Sequence, residues 1–477
     1  MPDATHRTPV TLVTGLNRTI SARIAYTLLT PGTTVVSHDL RDVATGRVTR
    51  IEHRMSRDGA DALTIDDVEL EHGCVSCTLR LDLLPMLRVL HRDPDVQRII
   101  VLLDPAVEPE QLAVEIASTV VEAPGVAPGP AGVDVAVEDT LCGIDARTWL
   151  ADATGDLTLT EAQLTSLDDE RTLSQIAVSQ ARFADAIIIE GADGVESAYD
   201  LARLHAVLLR LAPSAGMRTL NSQQAFTREI VEGALGSMAP GAPRGRPTQP
   251  FDPLLAGGPD LDEDCGVRLV SFEADRPFHP ERLHDTLDVL LEGVVTARGR
   301  MWLASDPDDV MWLESAGGGL SILHVGTWLA CVDDHSTVDP EHLAIAALRW
   351  DSDHGDRHNA LTVLCHRADP DDVRRALYDA LVTDDEMSRG QEYVTSLPSP
   401  FGHAHRDPCD DMEVPSPAEA PVSGRAETPA AGRAESPTAG RAEPSAAGRA
   451  EPSAAGRGES RPKNQPEQPK RTEGKQE

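Results

Sequence analysis

Residues 9–15, PVTLVTG, form a short apolar run that stops at a glycine, and residues 19–29, TISARIAYTLL, follow with helical spacing. A strand, a glycine turn and a helix in that order open a limited set of architectures, chief among them a sheet with helices laid on its faces. The alternation then repeats. Residues 33–37, 96–103, 133–138 and 184–189 read as strands, and 79–91, 109–121, 168–182 and 195–211 as helices. The pattern predicts an α/β fold with a mostly parallel sheet over residues 8–225.

Residues 226–264, rich in Gly, Pro and Asp from 236 onward, read as a linker. A second, smaller α+β unit is expected over 265–408. Its strands are at 267–274, 294–304, 311–316, 320–326 and 359–366, and its helices at 280–291, 339–347 and 370–382. Beyond it, Arg425, Arg433, Arg441, Arg449 and Arg457 recur every eight residues in near-copies of AGRAEPSA. Such a composition cannot bury enough apolar surface to order itself, so 409–477 is expected to be a disordered, low-complexity tail.

The balance of charge narrows the function. Against 43 Lys+Arg stand 78 Asp+Glu, a net charge of −35, which disfavours a protein built to grip nucleic-acid backbones but not one that meets a basic protein surface. Aromatic residues are 3% of the chain, too few for base-stacking platforms. Seven cysteines in 477 residues are too sparse for a disulfide scaffold. No apolar window is long enough for a signal peptide or a membrane span, so a cytoplasmic location with reduced thiols is expected. The first lysine is Lys463, so no lysine-dependent chemistry can operate in the folded part.

That absence bears on the first turn. A phosphate loop needs glycines that bring backbone N–H groups around the phosphates, a lysine for the β/γ oxygens and a hydroxyl for magnesium. After Gly15 this chain has no second glycine and no lysine; it offers the hydroxyls of Thr19 and Ser21 and the guanidinium groups of Arg18 and Arg23. Arginine on a loop does not replace a compact ammonium in a backbone cradle. GTP with magnesium is therefore disfavoured. Gly15 and Ser21 remain the candidate cofactor-binding positions here, with two carboxylates at expected strand ends: Asp104 after IIVLL, placed to help hold magnesium, and Asp193 in IIIEGAD, placed to accept hydrogen bonds from a ligand ring. Capping and packing are the competing roles for both.

Cys74 and Cys77, in EHGCVSCTLR, have the C-x-x-C spacing that can bind zinc or exchange with a disulfide, and that also occurs in purely structural thiols. A structural zinc needs four ligands, so the pair is a half-site; Glu71, His72 and His91 are near in sequence without diagnostic spacing. Cys142, Cys331 and Cys365 sit in apolar stretches and are expected in the core. Cys409 with His403 and His405, and the group His354, Asp356, Arg357 and His358, are weaker metal or acid–base candidates; for the second group a turn holding an Asp–Arg pair is the alternative. No nucleophilic triad or carboxylate pair announces hydrolysis.

Taken together, these segments resemble the CobW-like family of P-loop GTPases associated with metal handling. Its ENGCICCTLRxDL-type stretch is matched by Glu71, Gly73, Cys74, Cys77, Thr78, Leu79, Arg80 and Asp82, with Ser76 in place of the middle cysteine. PFHPERL at 277–283, TARG at 296–299, WLA at 302–304, WDSDHGDR at 350–357 and PFG at 400–402 resemble its C-terminal domain. The family's GKT falls on Ile20, Ser21 and Ala22, its second switch on 102–109 without the glutamate and glycine, and its guanine-reading motif on Glu190, Gly191, Ala192 and Asp193, where only the aspartate remains. The resemblance thus implies a nucleotide-switch scaffold that no longer works as a GTPase. The HGCVSCT segment followed by 80–92 is similar to an actinobacterial ribosome hibernation factor-recruiting branch. That similarity implies an adaptor that binds the small ribosomal subunit and recruits a hibernation-promoting factor when zinc is scarce. The alternative is a zinc-binding metallochaperone of the CobW type, with Cys74 and Cys77 as metal ligands and with or without residual GTP binding.

Overall fold

The computed structural model describes residues 6–401, apart from 71–72, 167–168, 240, 243, 248–250, 256–257 and 339. The group Cys409, His403 and His405, the arginine repeat and all the lysines lie outside the described residues, as do Glu71 and His72.

The first ten strands are β1 (Thr8–Thr14), β2 (Thr33–Asp39), β3 (Arg47–Met55), β4 (Asp61–Glu69), β5 (Arg98–Leu102), β6 (Val120–Ala123), β7 (Val126–Pro130), β8 (Val135–Asp145), β9 (Ala186–Glu190) and β10 (Gly216–Thr219). Eight of them form one sheet in the order β10-β9-β8-β1-β5-β2-β3-β4. From β10 to β2 all neighbours are parallel, and β3 and β4 add an antiparallel hairpin at one edge. The fold is α/β with a mostly parallel sheet. Its inner strands are buried on both faces, so they read as continuous apolar runs: Val10, Leu12 and Val13 of β1, Ile99 and Ile100 of β5, and Ile187, Ile188 and Ile189 of β9 are all inaccessible.

Eight helices accompany these strands: α1 (Arg18–Thr27), α2 (Val75–Thr78), α3 (Leu84–Leu90), α4 (Pro109–Ser118), α5 (Trp149–Asp152), α6 (Leu173–Arg182), α7 (Ala198–Leu211) and α8 (Arg228–Leu235). The last begins inside the stretch read as linker. Its buried Val231 and Ala234 join the apolar cluster of Ile20, Ile24, Leu141 and Ile188. Two hairpins, β3–β4 and β6–β7, escape the sequence reading. β3 and β4 carry charge on many positions, which hides their alternation, and are held by cross-strand pairs such as Arg50–Asp66 and His53–Asp61.

The second sheet is antiparallel throughout, in the order β11-β15-β12-β13-β14, from β11 (Arg268–Ala274), β12 (Val294–Met301), β13 (Asp309–Ala316), β14 (Gly319–Thr327) and β15 (Asn359–Cys365). Helices α9 (Pro280–Thr286), α10 (Pro340–Arg349) and α11 (Pro370–Asp379) belong to it. One apolar cluster spans both sheets: Val267, Val295, Ala316 and Leu364 pack with Ile144, Ala177, Leu204 and Ile187. Polar contacts fix the same junction. Ser174 Oγ donates to the Ala316 carbonyl at 2.6 Å, Gly318 N to the Gly155 carbonyl at 2.9 Å, and Arg182 pairs with Glu314.

Candidate functional site

Strand order turns at β1, with β5 and β2 on one side and β8, β9 and β10 on the other. In an open parallel sheet the crevice beyond the carboxyl ends at such a point is where ligands bind. The loops after β1, β5, β8 and β9 meet there and bring Gly15, Ser21 and Asp104 around one crevice, with Asp193 at its margin.

Each of these residues already has an internal use. Gly15 has φ +143°, and a Cβ on it would lie 2.3 Å from the Gly143 carbonyl oxygen, so its missing side chain admits β8 rather than a phosphate. Helix α1 begins at Arg18, two residues ahead of the Ile20–Ser21–Ala22 position of the family's GKT. Asn17 caps it, its Oδ1 accepting from Thr19 N at 3.1 Å and Ile20 N at 3.2 Å. Those are amide groups a phosphate would need. Ser21 is buried and its Oγ donates to the Thr14 carbonyl at 3.1 Å.

Asp104 is buried and accepts three hydrogen bonds. Oδ2 accepts from Arg18 Nη1 at 2.6 Å and Leu40 N at 3.1 Å, and Oδ1 from Ala106 N at 3.1 Å. Arg18 Nη2 is buried without a hydrogen-bond partner among the described residues, so an anion entering here would compete for Arg18 with Asp104. Arg23 pairs with Glu190 and lies over Phe226 at 4.9 Å. Asp145, at the end of β8, takes Arg147 Nε at 2.8 Å and Nη2 at 2.6 Å, and Asn17 Nδ2 at 3.3 Å. The Arg147 hydrogen bond is the main cause holding the Asp145 carboxyl below the usual range. Asp193 is exposed and accepts from Ser222 N at 2.8 Å, which lowers its pKa together with the Ser222 hydroxyl. Arg18 and Arg23, the guanidinium groups nearest the turn, each pair with a carboxylate. Asn17 and Arg147 escaped the sequence reading; an asparagine directly before a helical run was the available signal for the first.

Cys74 and Cys77 lie elsewhere, on the first turn of α2. Cys74 is the N-cap, with extended φ −142° and ψ 157°; its Sγ accepts from Cys77 N at 3.0 Å and its carbonyl from Thr78 Oγ1 at 3.1 Å. Gly73 presses against the turn before β3: a Cβ would sit 2.0 Å from the Val43 carbonyl oxygen. Cys77 is buried and Cys74 partly exposed. Among the described residues no group of three His, Cys, Asp or Glu side chains is arranged to hold a metal ion.

The helix expected over 79–91 is not uniform. Residues Leu79–Leu83 form a π-turn, with Leu84 N donating to the Leu79 carbonyl. Pro85 has no N–H to continue the α-helical ladder, and the longer bond satisfies the backbone instead. Asp82, on this turn, takes His38 Nε2 and Arg50 Nη1 at 2.6 and 2.7 Å. Burial pushes its carboxyl up, but His38 and Arg50 together hold it below the ordinary value. The arginines of this segment are internal clamps. Arg80 pairs with Glu115 at 2.9 Å; the buried Arg88 pairs with Asp134 at 2.8 Å and donates to the Val121, Ala127 and Gly129 carbonyls of the β6–β7 hairpin.

In the second domain, Asp356 caps the 329–331 turn through Leu329 N and Ala330 N, while Arg357 donates to the Pro307 and His354 carbonyls. The two do not pair with each other, and no metal cluster forms with His354 and His358. Cys142 and Cys365 are buried as expected; Cys331 is not a core residue, since its sulfur is partly exposed between Arg357 Nη2 at 2.8 Å and Asp308 Oδ1 at 3.1 Å. Among the described residues no helix is long and apolar enough to cross a membrane.

Comparison with known proteins agrees with this architecture. Residues 33–218 match the CobW/HypB/UreG nucleotide-binding domain and residues 267–381 the cobalamin synthesis protein cobW C-terminal domain. The first match starts beyond Gly15 and α1, the part where the motif is most altered. A Mycobacterium tuberculosis protein named a zinc chaperone is 42% identical over 409 residues, covering 85% of this chain and 96% of its own length. A Dictyostelium discoideum protein named zinc-regulated GTPase metalloprotein activator 1 is 24% identical over 337 residues, 68% of each chain. The Zn(II)-bound YjiA GTPase from E. coli is a distant structural neighbour, 12% identical with a TM-score of 0.30 over 79% of this chain and 100% of its own. With both domains matched and a relative this similar along nearly its whole length, the chain belongs to the CobW-like family.

Proposed function

We propose that this protein is a zinc carrier of the CobW type in which fixed ion pairs have replaced the nucleotide switch. The Cys74–Cys77 turn carries the reading. Two sulfurs three residues apart, one partly exposed and already accepting a backbone N–H, supply half of a tetrahedral zinc site. The open half suits cargo that must leave again, because a recipient can bring its own ligands. Glu71 and His72, adjacent in sequence, are the candidates for completing the site while the metal is carried. The relative named a zinc chaperone supports this assignment. Zinc titration of the full chain against a competing chelator tests it. One zinc per chain is expected, with affinity reduced about tenfold or more in Cys74→Ser/Cys77→Ser. Equal zinc uptake by wild type and double variant would remove the basis for the reading.

A second reading, the adaptor that docks on the small ribosomal subunit and recruits a hibernation-promoting factor, draws on one observation. The segment after the cysteines leaves Leu81 and Val89 exposed while spending Arg80 and Arg88 internally. A partner of this segment therefore meets Leu81 and Val89 beside the exposed Arg92. Co-sedimentation with ribosomes from zinc-replete and zinc-starved cells tests it: the adaptor predicts small-subunit association that Leu81→Asp/Val89→Asp weakens, and its absence in both lysates would refute it.

A further inference from the structure

A cavity of about 250 Å³ lies between the two domains, away from both the β1 crevice and the cysteine turn. The ends of α6 and α7 form one wall, the outer face of β12 and β15 another, and residues 253–255 a third. Its apolar lining includes Leu211, Met238, Leu254 and Leu255, and four arginines also reach it: Arg182, Arg210, Arg246 and Arg298.

Only two of these arginines have a carboxylate within ion-pair distance among the described residues. Arg182 is neutralised by Glu314 and, at 3.6 Å, by Glu110, and Arg246 lies 4.0 Å from Asp252. Arg210 donates only to neutral acceptors, the Ala206 and Asp262 carbonyls. Arg298 lies 5.2 Å over the Trp312 ring and makes no ion pair among the described residues. The Nε atoms of Arg210 and Arg298 and the Thr296 hydroxyl are buried without hydrogen-bond partners there. Glu314, Glu110 and Asp252 act on Arg298 electrostatically, but none makes an ion pair with it among the described residues. Asp185, also on the lining, is pushed by burial up to about 7, and its Oδ2 accepts from Thr140 N at 2.7 Å rather than from an arginine. A guanidinium taken from water needs a counter-charge or hydrogen-bond acceptors, and burial without them pushes Arg298 down to about 10.

We propose that this interdomain cavity binds a small phosphate-bearing ligand with an apolar body, its phosphate met by Arg298 and Arg210. A phosphate dianion offers the two charges and the several acceptors that these guanidinium groups lack. The leucine and proline wall takes the remainder of the molecule. Because the walls come from both domains and the connecting segment, the bound ligand ties them together, and stability rises with its concentration.

Calorimetry and thermal unfolding of the full chain with phenyl phosphate and with inorganic phosphate, at ionic strength matched with sodium chloride, test the proposal. Phenyl phosphate is expected to bind and to raise the unfolding midpoint, more strongly than inorganic phosphate. Arg298→Met and Arg210→Met are each expected to weaken binding about tenfold or more. If either methionine variant fails to fold by circular dichroism, Arg298→Lys and Arg210→Lys take its place, with weakening of about threefold expected for an ammonium in a forked site. Equal affinity for the two probes would overturn the apolar body and leave free phosphate as the ligand. No binding by wild type, or binding unchanged by every variant, would overturn the site.

Discussion

Asp104 shows how a position keeps its residue type while its chemistry changes. Its carboxylate stands where a magnesium-holding group would be expected, but it already accepts three hydrogen bonds, from Arg18 and two backbone amides. Removing the arginine leaves a carboxylate whose side chain is 1% exposed without its cation. Arg18→Ala is therefore expected to cost about 1–3 kcal/mol in urea unfolding, toward the lower end because Arg18 is itself partly in water. The variant is not expected to gain magnesium-dependent GTP binding, since Asn17 still occupies the amides of Thr19 and Ile20. Gain of such binding would contradict the closed-crevice account. At this scale loss is legible in the sequence: the missing lysine is read directly. Replacement is not, because the partners of Arg18 and Arg23 lie 86 and 167 residues away along the chain.

Among the elements, the cysteine turn and the domain junction are the two where a local change has a defined consequence. Gly73 lets the chain pass within contact of Val43 and so sets the turn in which the sulfurs sit. Gly73→Ala is expected to displace that turn and weaken zinc binding by about tenfold, measured by the same chelator competition, while the circular dichroism of the fold is retained. At the junction Glu314 is half-buried, which alone would raise its pKa, but Arg182 and Arg298 bring it down to about 2. A depressed folded value means the carboxylate contributes stability above the ordinary glutamate range and loses it as pH falls through the folded value. Between about pH 5 and pH 2, wild type is expected to lose on the order of 2 kcal/mol more than Glu314→Gln, measured by denaturant unfolding across that range. Most strands and helices were legible because their apolar periodicity is strong; the β3–β4 and β6–β7 hairpins and α8 were not. The π-turn was not, because Pro85 was visible but the bond shift it forces depends on which carbonyl the next free N–H can reach.

For the whole molecule, the apolar cluster shared by the two sheets predicts one unfolding transition across the described residues. Trp149 reports the first domain and Trp302, Trp312 and Trp328 the second. Fluorescence of a variant retaining only Trp149 and of one lacking it should give coincident denaturant midpoints, also coincident with far-ultraviolet circular dichroism; separated midpoints would show that the junction does not couple the domains. The sequence by itself determined a mostly parallel α/β layer followed by a smaller α+β unit, the loss of the phosphate-loop groups and the C-x-x-C half-site. All of these are short-range: a period of two or 3.6 residues, a spacing of three, an absent residue type. The tertiary structure alone decided which carboxylate each arginine meets, that the crevice at β1 is closed by Asn17, Arg18, Asp104 and Asp145, and that Arg298 and Arg210 line one interdomain cavity. Pairings of this kind depend on which strand ends and helix ends are brought side by side, and an exposed and a buried arginine are the same letter until the chain is folded.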